Sequence, residues 1–339
     1  VNLVGIAGIA AARQRFGSDV RILPARYEIS QLADWRDRLR SVLSLPSAVF
    51  LDLDERSNRV VIGIDRASTA TQRASFELAV AERQVPVDAV IVEDTDPIIP
   101  LQTLRDRVTP TPGGVQINFD IFLCTLGFNV SFEGGQGFVT CSHCTQVPGG
   151  EEGTTYTQGG VGIGVEERDP LLWTGGVCPT SRRCRYSDSA LISYAYAQEN
   201  GAFNKIAKVD NTGACESSAN SLTIDSTKPQ FRVVSTQDVP YVGQAVEKIG
   251  RTSGWTTGTV TSTCVDANVG TTDITRLCQD FATVGALGGD SGSPVFHENV
   301  NGDVIVDGVL WGSNGSCVAV FSHVSSIVYE IGPITIDAF

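Results

Sequence analysis

The chain has 339 residues, 42% hydrophobic and 19% charged, which is the composition of a folded protein with a sizeable core, not of a disordered one. Its formal charge is −13, split as −1 over residues 1–110 and −12 over the rest, and so acidic a C-terminal part repels nucleic acid and anionic lipid. No apolar run reaches the roughly 18 residues that a membrane span needs.

Residues 1–12 are apolar, and Arg13 and Arg15 follow them. They read as the first helix of a folded segment. With no initiator Met, the translation start and any secretory leader are expected upstream. Residues 27–45 continue the helical pattern, with Leu32, Trp35, Leu39, Val42 and Leu43 at helical spacing. The period then changes to two. Residues 48–53 and 59–64 predict two strands joined by a turn over 54–58. Residues 68–83 predict a helix capped by Ser68 or Thr69, and 87–92 a third strand. This succession predicts a small α+β domain over 1–98.

Pro97, Pro100, Pro110, Pro112, Gly113 and Gly114 interrupt the pattern, so 99–112 is expected to be a linker. Beyond it, short alternating runs such as 119–123, 137–140 and 190–194 sit between glycine-rich turns. Asn301-Gly302 between two apolar runs is a hairpin signal. Residues 113–339 therefore predict an all-β sandwich or barrel. All nine cysteines lie between Cys124 and Cys317, which marks this part as a separate unit for an oxidising compartment. Nine is odd, so one thiol is left over.

The chemistry is concentrated in three places. Gly288-Gly289-Asp290-Ser291-Gly292-Ser293-Pro294 surrounds a serine with glycines, which permit a tight turn and leave room for a substrate. Ser291 is the candidate nucleophile, and the amides of Gly289 and Ser291 are the candidate oxyanion donors. His143 ends the apolar run Gly137-Phe138-Val139-Thr140, at a turn suited to a general base. Cys144 beside it can tie that turn to Cys124. Asp188 leads straight into an apolar strand, as a buried partner for an imidazole must. Asp169 and Asp210 are competitors, set in polar or proline-containing loops. A rival zinc site would use Cys141, His143, Cys144, Cys178 and Cys184. The serine motif and the further cysteines favour the triad, so no metal or organic cofactor is expected.

The order His143, Asp188, Ser291 and the three local motifs resemble the chymotrypsin family. The likeness is to its bacterial branch of alpha-lytic protease and the streptogrisins. Gly137–Cys144 resembles the histidine strand of that branch, Cys124-Thr125-Leu126-Gly127-Phe128 its first-barrel strand, and residues 249–260 the opening of its second barrel. The resemblance covers about 113–330. It implies two six-stranded β-barrels, about 113–210 and 225–335, with the triad between them. It implies a secreted serine endopeptidase acting on proteins or peptides as a monomer. Residues 47–97 resemble, more weakly, the end of the pro-region of that branch, a folding aid and inhibitor of its own protease; nonlocal β topologies fold slowly and benefit from a template. A maturation cut is expected within 100–113, before Gly113-Gly114.

Three positions depart from the pattern. Cys141 replaces a small alanine. Leu310 or Trp311 stands where many relatives have a serine whose hydroxyl supports the catalytic aspartate. Leu287 stands where many have a cysteine, which leaves Cys317 without its usual partner. The expected disulfides are Cys124–Cys144, Cys178–Cys184 and Cys264–Cys278, with Cys141, Cys215 and Cys317 unassigned. The substrate pocket is expected between Gly285, Leu287, Gly288 on one side and Leu310, Trp311, Gly312, Ser313 on the other. With no acid or histidine in those segments, an apolar side chain is its expected occupant. The alternative function is a catalytically silent binding protein of the same fold.

Overall fold

Apolar spacing over residues 27–95 builds two α-helices and a three-stranded sheet. The computed structural model describes residues 2–3, 14–15, 23–195, 201–215, 220–315 and 317–336. The chain separates into two units, 1–100 and 101–339. The helix expected over 1–12 lies outside the described residues, apart from Asn2–Leu3, which pair as a short strand with Leu23–Pro24.

In the first unit the helix Ile29–Leu39 runs on into a tighter 3₁₀ turn, Arg40–Ser44. The strands Ala48–Asp54 and Arg59–Asp65 pair antiparallel, and Val90–Thr95 adds parallel to the second. The helix Ala70–Ala81 starts at Thr69, whose side chain and that of Gln72 satisfy each other's backbone amides. Leu32, Leu39, Val60, Ile62, Ile64 and Phe76 form the core. The strand expected from residue 87 begins three residues later, because Val87–Ala89 after Pro86 close a 3₁₀ turn.

The second unit is almost all β, in sheets of eight and eleven strands with, among the described residues, one α-helix, Val324–Ile331. The eight-stranded sheet contains the antiparallel neighbours Gly135–Thr140 and Ala190–Tyr194. Their register sets Thr140 opposite Ala190. Whatever follows Thr140 must therefore meet whatever precedes Ala190, and these are the His143 turn and Asp188. The eleven-stranded sheet contains Ala245–Gly250, Gly254–Asn268, Ile274–Ala282, Pro294–Glu298 and Val304–Ser313. Phe128, Phe138, Ile192, Phe231 and Phe296 lie in one buried cluster, and Val246, Val260, Leu310 and Phe321 in a second.

Two sequence expectations change here. Residues 119–123 are not one strand: Asp120, with φ of 48°, and the exposed Ile121 turn a hairpin between Gln116–Phe119 and Phe122–Thr125. The segment expected to be a linker, 99–112, is bound into the second unit from Leu101 onward. Gln102 O accepts from Ile224 N at 2.7 Å, Leu104 is fully buried, and Thr111–Gly113 pairs with Gly201–Ala207.

Candidate active site

The strand Gly135–Thr140 ends in a 3₁₀ turn, Ser142–Cys144, that presents His143. The disulfide Cys124–Cys144 and a 2.7 Å bond from Tyr156 Oη to Cys144 O hold this turn. His143 N donates to Asp188 Oδ1 at 3.0 Å, and His143 Nδ1 lies 2.9 Å from Asp188 Oδ2. The aspartate thus grips both the backbone and the ring of the histidine, which fixes the ring's plane. His143 is 36% exposed on its side chain and Asp188 only 1%, so one reaches solvent while the other is sealed.

Asp188 is sealed by charge as well as by packing. Its backbone amide donates to Ser322 Oγ at 2.9 Å, and Arg276 Nη2 lies 3.1 Å from its Oδ1. Burial alone would raise its carboxyl, but the Arg276 charge and then His143 outweigh burial and hold it well below the usual carboxylate range. Beneath the histidine turn, Asp169 is not a loop residue in solvent. It is buried against Arg185 at 2.5 Å and accepts from Ser142 Oγ at 2.9 Å. Arg185 also binds Glu330 of the C-terminal helix at 3.0 Å. Asp169 is therefore a foundation of the turn rather than a partner of His143.

Ser291 occupies the turn before the strand Pro294–Glu298. Its carbonyl accepts from Thr125 N at 2.8 Å, next to the Cys124–Cys144 bridge, which brings the serine turn to the histidine turn. Gly289 and Gly292 have φ of 95° and 91°. A Cβ on Gly292 would stand 2.1 Å from Thr125 O, so only glycine passes there. Asp290 points inward and organises the turn: its carboxylate accepts from Thr252 N at 2.8 Å, Leu287 N at 2.9 Å and Ser253 Oγ at 2.5 Å. Lys248 Nζ, fully buried, balances it at 3.4 Å.

Beside Ser291 lie two adjoining cavities of about 300 and 340 Å³. Gly285, Leu287 and Ser313 line the first; Leu287, Gly288, Leu310, Trp311, Gly312 and Ser313 line the second together with Ser291. No charged side chain is among their described lining residues.

The structure contains the disulfides Cys124–Cys144, Cys178–Cys184, Cys215–Cys317 and Cys264–Cys278. Cys215–Cys317 lies in the wall of the first cavity. Cys141 stays free and buried, with Sγ 3.1 Å from Leu310 O, and burial pushes its thiol well up. Cys141, His143 and Cys144 bring their ligand atoms within 4.8 Å of one another, but Cys144 is committed to its disulfide. That leaves two donors, too few for a structural zinc site.

Sequence reasoning missed Arg276, Ser322, Asp290 and Lys248. For Asp290 a signal existed, since it is the lone charge inside a glycine-rich run, whereas Lys248 follows Glu247 directly and reads as half of a surface charge pair. For Arg276, in Thr275-Arg276-Leu277-Cys278-Gln279-Asp280, nothing local set it apart.

No protein-family model matches the chain. It is 27% identical over 177 residues to glutamyl endopeptidase 2 of Streptomyces griseus, 52% of this chain and 74% of that protein. It is 28% identical over 323 residues to streptogrisin-D of the same organism, 94% of this chain and 66% of that protein. With serine protease 1 of Streptomyces fradiae it shares 26% over 250 residues, 73% of this chain and 56% of that protein. The chain thus spans less than two thirds of the length of the latter two. Among solved structures, Thermobifida fusca protease A aligns at 20% identity over 67% of this chain and 98% of its own, with a TM-score of 0.48. By sequence, this chain is similar to bacterial serine endopeptidases of the group that includes the streptogrisins and glutamyl endopeptidase 2, and that likeness supports a serine endopeptidase.

Proposed function

We propose that the chain is a secreted endopeptidase that cleaves through an acyl-enzyme on Ser291. The observation that carries this reading is the buried Asp188 gripping His143 at 2.9 Å, at the turn to which Thr125 ties Ser291. In the proposed reaction His143 takes the proton of Ser291 as the oxygen attacks the peptide carbonyl. The amides of Gly289 and Ser291 hold the oxyanion. His143 then protonates the leaving amine, and water repeats the sequence to release the acid. The two large sheets would be the two barrels of the fold. The uncharged cavities beside Ser291 favour an apolar residue before the cut, not the acidic one named in glutamyl endopeptidase 2.

Residues 1–98 would be the pro-region, folding aid and inhibitor in one, and the match to streptogrisin-D over 94% of the chain supports its inclusion. Incubation with a fluorophosphonate followed by peptide mapping tests the reading. A single adduct on Ser291, absent from Ser291→Ala and abolished by His143→Ala, is expected. A folded chain cut between the two units that still takes no adduct would leave only the silent binding protein.

A further inference from the structure

Arg276 is 1% exposed, yet its guanidinium is poorly provided for. Its Nη2 meets Asp188 Oδ1 at 3.1 Å, while its Nε and Nη1 are buried and find no hydrogen-bond acceptor among the described residues. A buried ion pair adds little net stability over an apolar pair, and two unmade hydrogen bonds make this one worse. Packing therefore gives no reason for an arginine at this place. Its neighbour does. Asp188 is closed off from water, and an anion in that position needs a cation or several donors. Where resembling proteases use a serine stand Leu310 and Trp311: the Leu310 side chain packs with Val246, Val260 and Phe321, and Trp311 Nε1 donates to Gln279 Oε1 at 2.7 Å. Ser322 Oγ accepts from the Asp188 amide and donates to Gln279 Oε1 at 2.8 Å, so it has no hydrogen for the carboxylate.

We propose that Arg276 is a positioning residue of the triad: its buried charge keeps Asp188 an anion and fixes the carboxylate against His143, in place of the serine hydroxyl. The claim that this serves catalysis rests on the endopeptidase reading above. The other charges around Asp188 are already engaged. Arg185 is shared between Asp169 and Glu330, and Asp280, on the strand of Arg276, is bound to His323 at 2.6 Å. Cys141 is a neutral thiol because burial raises it. Arg276 is thus the one cation beside Asp188 not held by another acid among the described residues.

The direction of its effect follows. Burial raises the Asp188 carboxyl and Arg276 lowers it, so without Arg276 the burial is opposed by His143 and the more distant Arg185 alone. Asp188 then takes up a proton at a higher pH, and the ring loses its acceptor.

The test uses the full chain carrying Ser291→Ala, which prevents self-digestion, and follows the downfield proton of the His143–Asp188 hydrogen bond by NMR. With only three histidines in the chain, the resonance is assignable. In the Arg276-containing chain it is expected to persist below about pH 4, where an ordinary carboxyl protonates. In Arg276→Met it is expected to vanish at least about one pH unit higher, and Arg276→Lys, which retains the charge, is expected to restore most of the range. Loss of the resonance at or above pH 4 with Arg276 present overturns the proposal even if no variant folds. So does an unchanged range in Arg276→Met. With Ser291 intact, Arg276→Met is expected to lower kcat about tenfold or more at neutral pH and leave KM nearly unchanged, and Arg276→Lys to recover most of kcat. Because the resonance is read without turnover, an inert Ser291 would refute the endopeptidase reading while leaving the Arg276 assignment to stand or fall by itself.

Discussion

Lys248 Nζ lies 3.4 Å from Asp290 Oδ2 with neither side chain reaching solvent, and the pair ties the strand Ala245–Gly250 to the turn that carries Ser291. Burial by itself would raise the Asp290 carboxyl, but Lys248, Ser253 and the amides of Leu287 and Thr252 hold it below its ordinary range. The turn that carries the proposed oxyanion donors, Gly289 and Ser291, is therefore organised by an interior charge. Lys248→Met leaves that charge buried without a partner, which costs about 3–5 kcal/mol. Thermal denaturation should show this loss. Fluorophosphonate labelling of Ser291 should slow by about 10²-fold, the effect of a disordered oxyanion donor. A variant that melts and labels like the parent would show the pair to be idle.

Gly312 lines the cavity beside Ser291, and a Cβ there would meet nothing nearer than Val320 Cβ at 4.0 Å. The fold accepts a side chain, but the cavity loses volume. Gly312→Val is expected to cut kcat/KM for substrates with Phe or Leu before the cut by about 10–100-fold, the scale of one or two misplaced methyl groups. Substrates with Ala there should be nearly unaffected. Equal losses on both would place the specificity elsewhere.

Glu247 has a carboxyl raised to about 7 from 4.5, chiefly by burial and despite the hydrogen bond from Trp255 Nε1. Its folded value lies above its unfolded one, so the folded state binds a proton that the unfolded chain has lost. Stability from this group is full below about pH 4.3, where both states hold the proton, and is lost as pH rises through about 7. Denaturant midpoints should decline from pH 5 to 8, and Glu247→Gln should flatten the decline. A parent chain with a flat profile over that range contradicts the assignment.

A maturation cut next to Gly113 would fall within a segment bound into the second unit. Leu104 is fully buried and Gln116 N donates to its carbonyl at 2.8 Å, whereas Ile98, Ile99 and Leu101 are exposed. N-terminal sequencing of secreted, labelled protein should therefore give a start between residues 97 and 102. Leu104→Ala should destabilise the mature unit by about 2–5 kcal/mol. A start at 111–114 would mean that the segment is dispensable.

The likeness to bacterial serine proteases and the local shape of each part of the candidate site are legible in the chain, because each motif is a short continuous run. Glycines around Ser291 announce a turn that only they permit, and an apolar run ending in His143 announces a strand with its histidine at the edge. The hairpin at Asn301-Gly302 and the capped helix at Thr69 were legible for the same reason. Only the tertiary structure decided what lies behind those residues. Cys215 finds Cys317 across 102 positions, Lys248 finds Asp290, and Arg276 finds Asp188. Alternation in a strand tells inward from outward only when one face meets solvent. In Ile274–Ala282 the consecutive residues Thr275, Arg276 and Leu277 are all buried, because the strand is covered on both sides. A charge in such a strand reads as a surface residue until the second layer is in place, and the partner that explains it is supplied by packing alone.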